Sequence, residues 1–184
     1  MRIRRAEASD AGRLGAIEVS AGERFRTVGL DAVADDPPLT PDVYARAIAD
    51  DAVWVAEDGA EAIGYAWVID LGGQTHIEQL SVVDDRQGRG VGGALLDEVV
   101  RWAAAGGAAS ITLSTFRDVA FNGPWYRRHG FVDVADPDER FVALRRHEAE
   151  SGLDISARVI MRRPLASAAP LDLTDPAGGP SGPS

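Results

Sequence analysis

Apolar residues recur along this chain at two periods that take turns. Short runs rich in β-branched and aromatic residues occupy Arg2–Arg5, 52–56, 62–70, 74–83, 111–115 and 158–162. Gly, Asp and Pro bound them, as expected of strands. Helical spacing fills the gaps. Residues 11–21 place Leu14, Ile17 and Val19 on one stripe, with Ser9 and Asp10 expected as the N-cap. Thr40 and then Pro41 predict a helix start, with the helix ending near Asp50. Residues 90–105 carry Val91, Ala94, Leu95, Val99 and Trp102 on one face and end at Gly106-Gly107. A shorter helix over 120–129 stops at Gly130, and Phe131 opens a further strand.

Two stretches lack a period. Residues 22–38 contain Gly29, Pro37 and Pro38 and read as a long loop with room for a helical turn. Residues 136–156 are longer than a hairpin requires, with room for a helix over 139–149. Glu57-Asp58-Gly59 is a hairpin turn between two strands. The predicted order is β-α-α-β-β-β-α-β-α-β-β, an α/β chain with one mixed sheet flanked by helices.

Composition narrows the chemistry. The 184 residues contain no Cys, three His and 19 basic residues, every one of them Arg. Thiolate nucleophiles, disulfides and lysine Schiff bases are therefore excluded, and no metal site is expected. The net charge of −10 speaks against a nucleic-acid partner, which requires a basic face. Only Asp172 and Asp175 of the acidic residues fall within 165–184. That segment is rich in Pro, Gly and Ser and is expected to be a disordered tail, leaving 1–164 as a single domain. No segment has signal-peptide or membrane-spanning character, so a cytoplasmic protein is expected. Arg in place of Lys, with abundant Ala, Gly and Asp, fits a G+C-rich bacterial coding bias.

The densest signal runs from His76 to Asp97. A strand enters a turn containing Gly88, Gly90, Gly92 and Gly93, and a helix begins among these glycines. Converging backbone N–H groups at a helix start bind a phosphate, and glycines let the ligand approach the backbone closely. Arg86 and Arg89 add positive charge. Neither the G-K-[ST] of a P-loop nor the dinucleotide G-x-G-x-x-G is present.

Gln87-Gly88-Arg89-Gly90-Val91-Gly92 resembles the Q/R-x-x-G-x-G/A pyrophosphate loop of the GNAT N-acetyltransferase superfamily. Asn122-Gly123-Pro124-Trp125-Tyr126, continuing to Gly130-Phe131, resembles that family's N-x-x-x-Y-x-x-x-G-F segment. The element order is similar as well, over about residues 2–164. The resemblance implies a mostly antiparallel mixed sheet whose central strands splay to admit acetyl-CoA. It implies backbone contacts to pantetheine from Leu80, Ser81, Val82 and Val83, and a pyrophosphate cradle from Gln87, Gly88, Arg89, Gly90, Val91, Gly92 and Gly93. Asn122 would bond the pantetheine side.

The implied reaction is direct acetyl transfer from a thioester to a primary amine. Tyr126 would protonate the departing thiolate, since a phenol suits that task. Glu78 and His76 stand two apart on one strand and are the candidate bases, Glu78 preferred. The N–H of Val82 or Val83 is the expected oxyanion donor. Glu23, Arg24 and Phe25, with roughly 141–155, are the expected acceptor contacts. The chain's acidity favours a small, cationic amine. A protein N-terminus or lysine as acceptor, and a non-catalytic acyl-CoA sensor, are the other readings the resemblance leaves open. A homodimer is plausible for such an open sheet.

Overall fold

A computed structural model describes residues 1–150 and 152–165. Seven strands form one sheet: β1 (Arg2–Arg5), β2 (Val53–Asp58), β3 (Glu61–Asp70), β4 (Thr75–Val82), β5 (Ser110–Phe116), β6 (Val132–Asp133) and β7 (Arg158–Pro164). Their spatial order is β1-β2-β3-β4-β5-β7-β6, and every neighbouring pair is antiparallel except β4 with β5. The helices are α1 (Ala11–Gly22), α2 (Asp31–Ala34), α3 (Pro41–Ala49), α4 (Val91–Ala105), α5 (Gly123–Arg128) and α6 (Glu139–Glu150). This is the α/β, mixed and mostly antiparallel sheet expected from the sequence.

The parallel pair positions everything that follows. β4 and β5 bond only through Thr75–Ile111, His76–Thr112 and Ile77–Leu113. Beyond those three rungs both strands continue, β4 to Val82 and β5 to Phe116, without pairing. The sheet therefore opens as a V, with its apex at His76–Leu113. β3 follows β4 through this region with one irregularity: Trp67 faces Gln79 while Val68 faces Ile77, so Glu78 is an extra, unmatched residue. A bulge of this kind bends its strand and re-aims a side chain.

α4 and α1 cover opposite faces of β3. A Cβ on Gly64 would stand 3.3 Å from Leu95 of α4, whereas the neighbouring Tyr65 reaches Glu18 of α1. Adjacent strand residues point to opposite faces, so the two helices sandwich the sheet. The same Cβ would lie 2.9 Å from the Ser81 carbonyl oxygen, which reserves this position for glycine. Leu14, Ile17, Leu95, Leu96 and Val99 are fully buried in the two layers.

Several local expectations are refined or corrected. The helical turn allowed for within 22–38 is present and more extensive than a single turn: a 3-10 stretch, Glu23–Val28, ends at left-handed Gly29 and leads into α2. Phe25 anchors this stretch against Phe116 and Phe121, at centroid separations of 5.6 and 5.3 Å. A single half-buried ring in this stretch leaves no period to read. Asp10 does not cap α1, because its carboxylate takes the Arg4 guanidinium (2.7 Å) and the Glu7 N–H (2.7 Å). Thr40 makes no side-chain cap either, although Pro41 does occupy the first turn. The strand opened by Phe131 is only two residues long, and β7 inserts between it and β5. The helix expected over 139–149 is present as α6. The expected tail lies outside the described residues apart from Leu165, whose N–H bonds the Ala109 carbonyl at 2.9 Å. Among the described residues, no helix is long and apolar enough to cross a membrane.

Candidate functional site

The V opens into a cleft of about 800 Å³ whose walls come from α1, the 23–28 turn, β4, β5, α5 and α6. Its two ends differ chemically.

One end is the turn into α4. Gly88 and Gly90 both take positive φ (72° and 85°), and a Cβ on either would meet nothing, so backbone conformation rather than space selects glycine there. α4 runs for 15 residues and has no side-chain cap. The N–H groups of its first turn are therefore left for an anion, aided by the helix dipole. Gly88, Gly90, Gly92 and Gly93 all line the cleft. Gln87 braces this turn: its Nε2 donates to the Val82 carbonyl (2.9 Å) while its Oε1 accepts from Arg24 Nη1 (3.0 Å). Arg89 is exposed on the same turn, and Val91 is buried beneath it. Arg86 turns away to Asp58, at 3.0 Å.

Along β4 the hydrogen-bond alternation decides which groups face the opening. The Val83 N–H donates to the Ile63 carbonyl at 3.0 Å, making these two a hydrogen-bonded pair. By alternation, Gly64–Val82 and Ala66–Leu80 are non-bonded pairs, so the backbone groups of Val82 and Leu80 turn away from β3 toward the V. Ser81 and Val83 direct theirs into the sheet. The Val83 N–H, expected as one of two oxyanion donors, is thus already engaged; the Val82 N–H is on the open side.

Asn122 stands across the opening. Its Nδ2 donates to Thr115 Oγ1 (2.9 Å), and its Oδ1 is buried without a partner. An unpaired buried carbonyl is costly and is relieved by a donor arriving in the cleft, such as an amide N–H. The residue makes no side-chain cap on α5. Gly123, next to it, is fixed by crowding, since a Cβ would stand 2.2 Å from the Arg117 carbonyl oxygen. Tyr126 follows one turn later. Only 9% of it is exposed, its ring packs on Trp125 and Phe131, and its hydroxyl makes no hydrogen bond among the described residues. Burial raises its pKa, partly opposed by Arg158.

The far end of the cleft is acidic. Glu78, displaced by the bulge, opens to the cleft's solvent although protein crowds it on most sides. That crowding raises its pKa first, and the neighbouring Glu148 carboxylate adds to the effect. His76 belongs to the apex. It is 1% exposed, and its Nδ1 bonds Thr112 Oγ1 at 2.9 Å. Thr112 spends its single proton on the Thr75 carbonyl, so Nδ1–H is the donor. Burial lowers the His76 pKa to about 4, with Arg158 contributing. The two candidate bases therefore part company: one is wet and carries a raised pKa, the other is locked in the sheet and neutral.

Arg24 and Phe25 line the cleft; Glu23 is absent from its walls and pairs with Arg26 at 3.0 Å. Three further residues were not singled out in the sequence. Glu18 on α1 accepts from the Tyr65 hydroxyl (3.0 Å) and from the Tyr44 hydroxyl. Glu148 on α6 pairs with Arg158 on β7 at 2.9 Å. Arg158 also donates to the Ser114 carbonyl at 3.1 Å. Glu18 and Glu148 fall on helices whose polar positions look solvated in one dimension, and Arg158 opens a strand. No spacing in the chain marks any of them.

Residues 49–133 match the acetyltransferase (GNAT) domain family. The whole fold is similar to the Mycobacterium tuberculosis protein Rv2747 in complex with CoA, with a TM-score of 0.65, 18% identity, and coverage of 90% of this chain and 100% of that one. It is also similar to the PaiA N-acetyltransferase of Thermoplasma acidophilum in complex with coenzyme A, with a TM-score of 0.64, 13% identity, and coverage of 89% and 98%. The Neisseria gonorrhoeae N-acetylglutamate synthase, complexed with coenzyme A and N-acetyl-glutamate, gives a TM-score of 0.68 at 18% identity, covering 90% of this chain and 35% of that one.

Proposed function

We propose that this chain, whose residues 49–133 match the acetyltransferase (GNAT) domain family, transfers an acetyl group from acetyl-CoA directly to the primary amine of a small molecule. The observation that carries this reading is the meeting of Tyr126 and Glu78 in one cleft with the unpaired Asn122 Oδ1 and the open edge of β4. A group carrying amide N–H and C=O along its length can lie in the V and bond the Leu80 and Val82 backbone as an added strand would. Asn122 Oδ1 accepts from it. The α4 turn takes its phosphates, with Arg89 exposed on that turn and Arg128 lining the cleft.

When bound, the thioester supplies an activated acetyl group. Glu78 takes the proton of the incoming ammonium, and its raised pKa brings it closer to that task at neutral pH. The freed nitrogen lone pair attacks the carbonyl carbon while the Val82 N–H faces the developing oxyanion. The carbon–sulfur bond then breaks. Tyr126 donates its hydroxyl proton to the departing sulfur, and the second proton shed by the new amide nitrogen restores the phenol while Glu78 releases its own to solvent. Positioning the amine against the thioester accounts for much of the rate. No protein nucleophile is required, which suits a chain without Cys or Lys.

A small acceptor is favoured because Leu144, His147 and Glu148 of α6 line the acceptor end of the cleft. The test is thiol release from acetyl-CoA across a panel of small amines and a short peptide, with Tyr126→Phe and Glu78→Gln as controls. Loss of turnover in both variants, with CoA still raising the melting temperature, is the expected result. Turnover with the peptide alone would move the acceptor to a protein. CoA binding with no turnover on any acceptor would leave a sensor.

A further inference from the structure

The acceptor end holds more negative charge than one reacting amine requires. Four carboxylates line the cleft: Asp36 sits on an exposed loop, and three come from helices and the sheet, Glu18 from α1, Glu78 from the bulge of β4 and Glu148 from α6. Arg158 is the cation bonded among them, and it is committed to Glu148.

Each acid is held differently. Glu18 is fixed by two buried phenols. Tyr44 and Tyr65 are 1% and 0% exposed, and both donate to Oε2, leaving Oε1 free. Ordering two tyrosines about one carboxylate preorganises it, so little rotamer entropy is lost when a ligand arrives. Glu148 is more deeply enclosed, with only 8% of its side chain exposed. Its Oε1 is paired with Arg158, and its Oε2 is buried with no partner among the described residues. A buried carboxylate oxygen left unsatisfied is relieved by a donor arriving in the cleft, most strongly by a cationic one. Glu78 has a separate duty, since it must accept the proton of the reacting ammonium. Glu18 and Glu148 remain after that duty is assigned.

Resting on the acetyl-transfer reading above, we propose that the acceptor is a dication. One amine is acetylated over Glu78, and a second cationic group of the same molecule, an ammonium or guanidinium, is held by Glu148 and Glu18. A flexible diamine has this chemistry. A zwitterionic amino acid does not, because it would bring a carboxylate into a site that already holds three.

The experiment compares 1,4-diaminobutane with n-butylamine, which is close in size and lacks the second charge, using thiol release on the wild-type chain. A preference for the diamine of tenfold or more in kcat/KM is expected. It should diminish as salt rises, and most of it should lie in KM. Glu18→Gln and Glu148→Gln should each raise KM for the diamine several times more than for butylamine, a selectivity that a general loss of folding would not produce. Equal turnover of the two amines, or a preference for an amino acid or a peptide, would overturn the dication while leaving acetyl transfer standing. If no amine of any kind releases thiol although CoA still raises the melting temperature, the transfer reading itself falls, and the dication with it.

Discussion

His76 Nδ1 and Thr112 Oγ1 meet at 2.9 Å across the middle rung of the three that join β4 to β5. The bond closes the apex of the V from inside the sheet. Its pH dependence follows from the folded His76 pKa of about 4, against 6.5 for the free group. The folded value is depressed, so the stabilising neutral imidazole is fully present above 6.5 and is lost as pH falls from 6.5 toward 4. A shift of this size corresponds to about 3 kcal/mol. Denaturant midpoints at pH 7 and pH 4.5 should therefore fall further apart for wild type than for His76→Gln, which cannot take the proton.

Glu78 is expected to show the opposite linkage. Its folded pKa is raised, so the protein is relieved of an unfavourable charge below the ordinary carboxylate pKa and bears it as pH rises through the folded value. At pH 7, Glu78→Gln should melt no lower than wild type while losing about a hundredfold or more in kcat/KM. The acidic limb of the wild-type rate profile should lie above the usual carboxylate range and disappear in the variant. A variant that melts lower and retains its rate would remove Glu78 from the reaction.

Removing the Tyr126 hydroxyl leaves its ring between Trp125 and Phe131. Tyr126→Phe should fold with unchanged stability and bind CoA normally, yet turn over about a hundredfold more slowly. Steady-state rates alongside calorimetric titration with CoA separate the two effects. An unchanged kcat would make this residue a packing aromatic and nothing more.

Asn122 separates into two halves that can be tested apart. Deleting Oδ1 and Nδ2 together with Asn122→Ala should weaken CoA binding by about 1 kcal/mol, roughly fivefold in Kd. Thr115→Val breaks only the Nδ2 bond and keeps Oδ1, so the Kd should move little by comparison.

What could be read from one dimension was whatever the backbone itself requires. The glycines of the 87–93 turn declare themselves because a left-handed φ at Gly88 and Gly90 needs glycine wherever they occur. The stretch from Asn122 to Phe131 is similarly compact, with its partners within one helix and the following strand. The bulge at Glu78 left no trace, because an extra residue in β4 exists only relative to β3. His76 and Glu78 look equivalent at a spacing of two, and that equivalence fails at the bulge. Glu148 could not be found because its significance lies in Arg158, ten residues on and in another element. The anchoring of the 23–28 turn escaped for the same reason: Phe25 gains its place from Phe116 and Phe121, nearly a hundred residues away.

Arg24 bonds Gln87 across the cleft's mouth and also lies 4.3 Å over the Phe121 ring. The segment beside the acceptor and the turn beside the phosphates are therefore mechanically one piece. Whatever coupling passes through that contact is reciprocal by thermodynamic necessity: each substrate changes the affinity of the other by the same factor. Neither loop needs a hinge for the two halves of the reaction to inform each other.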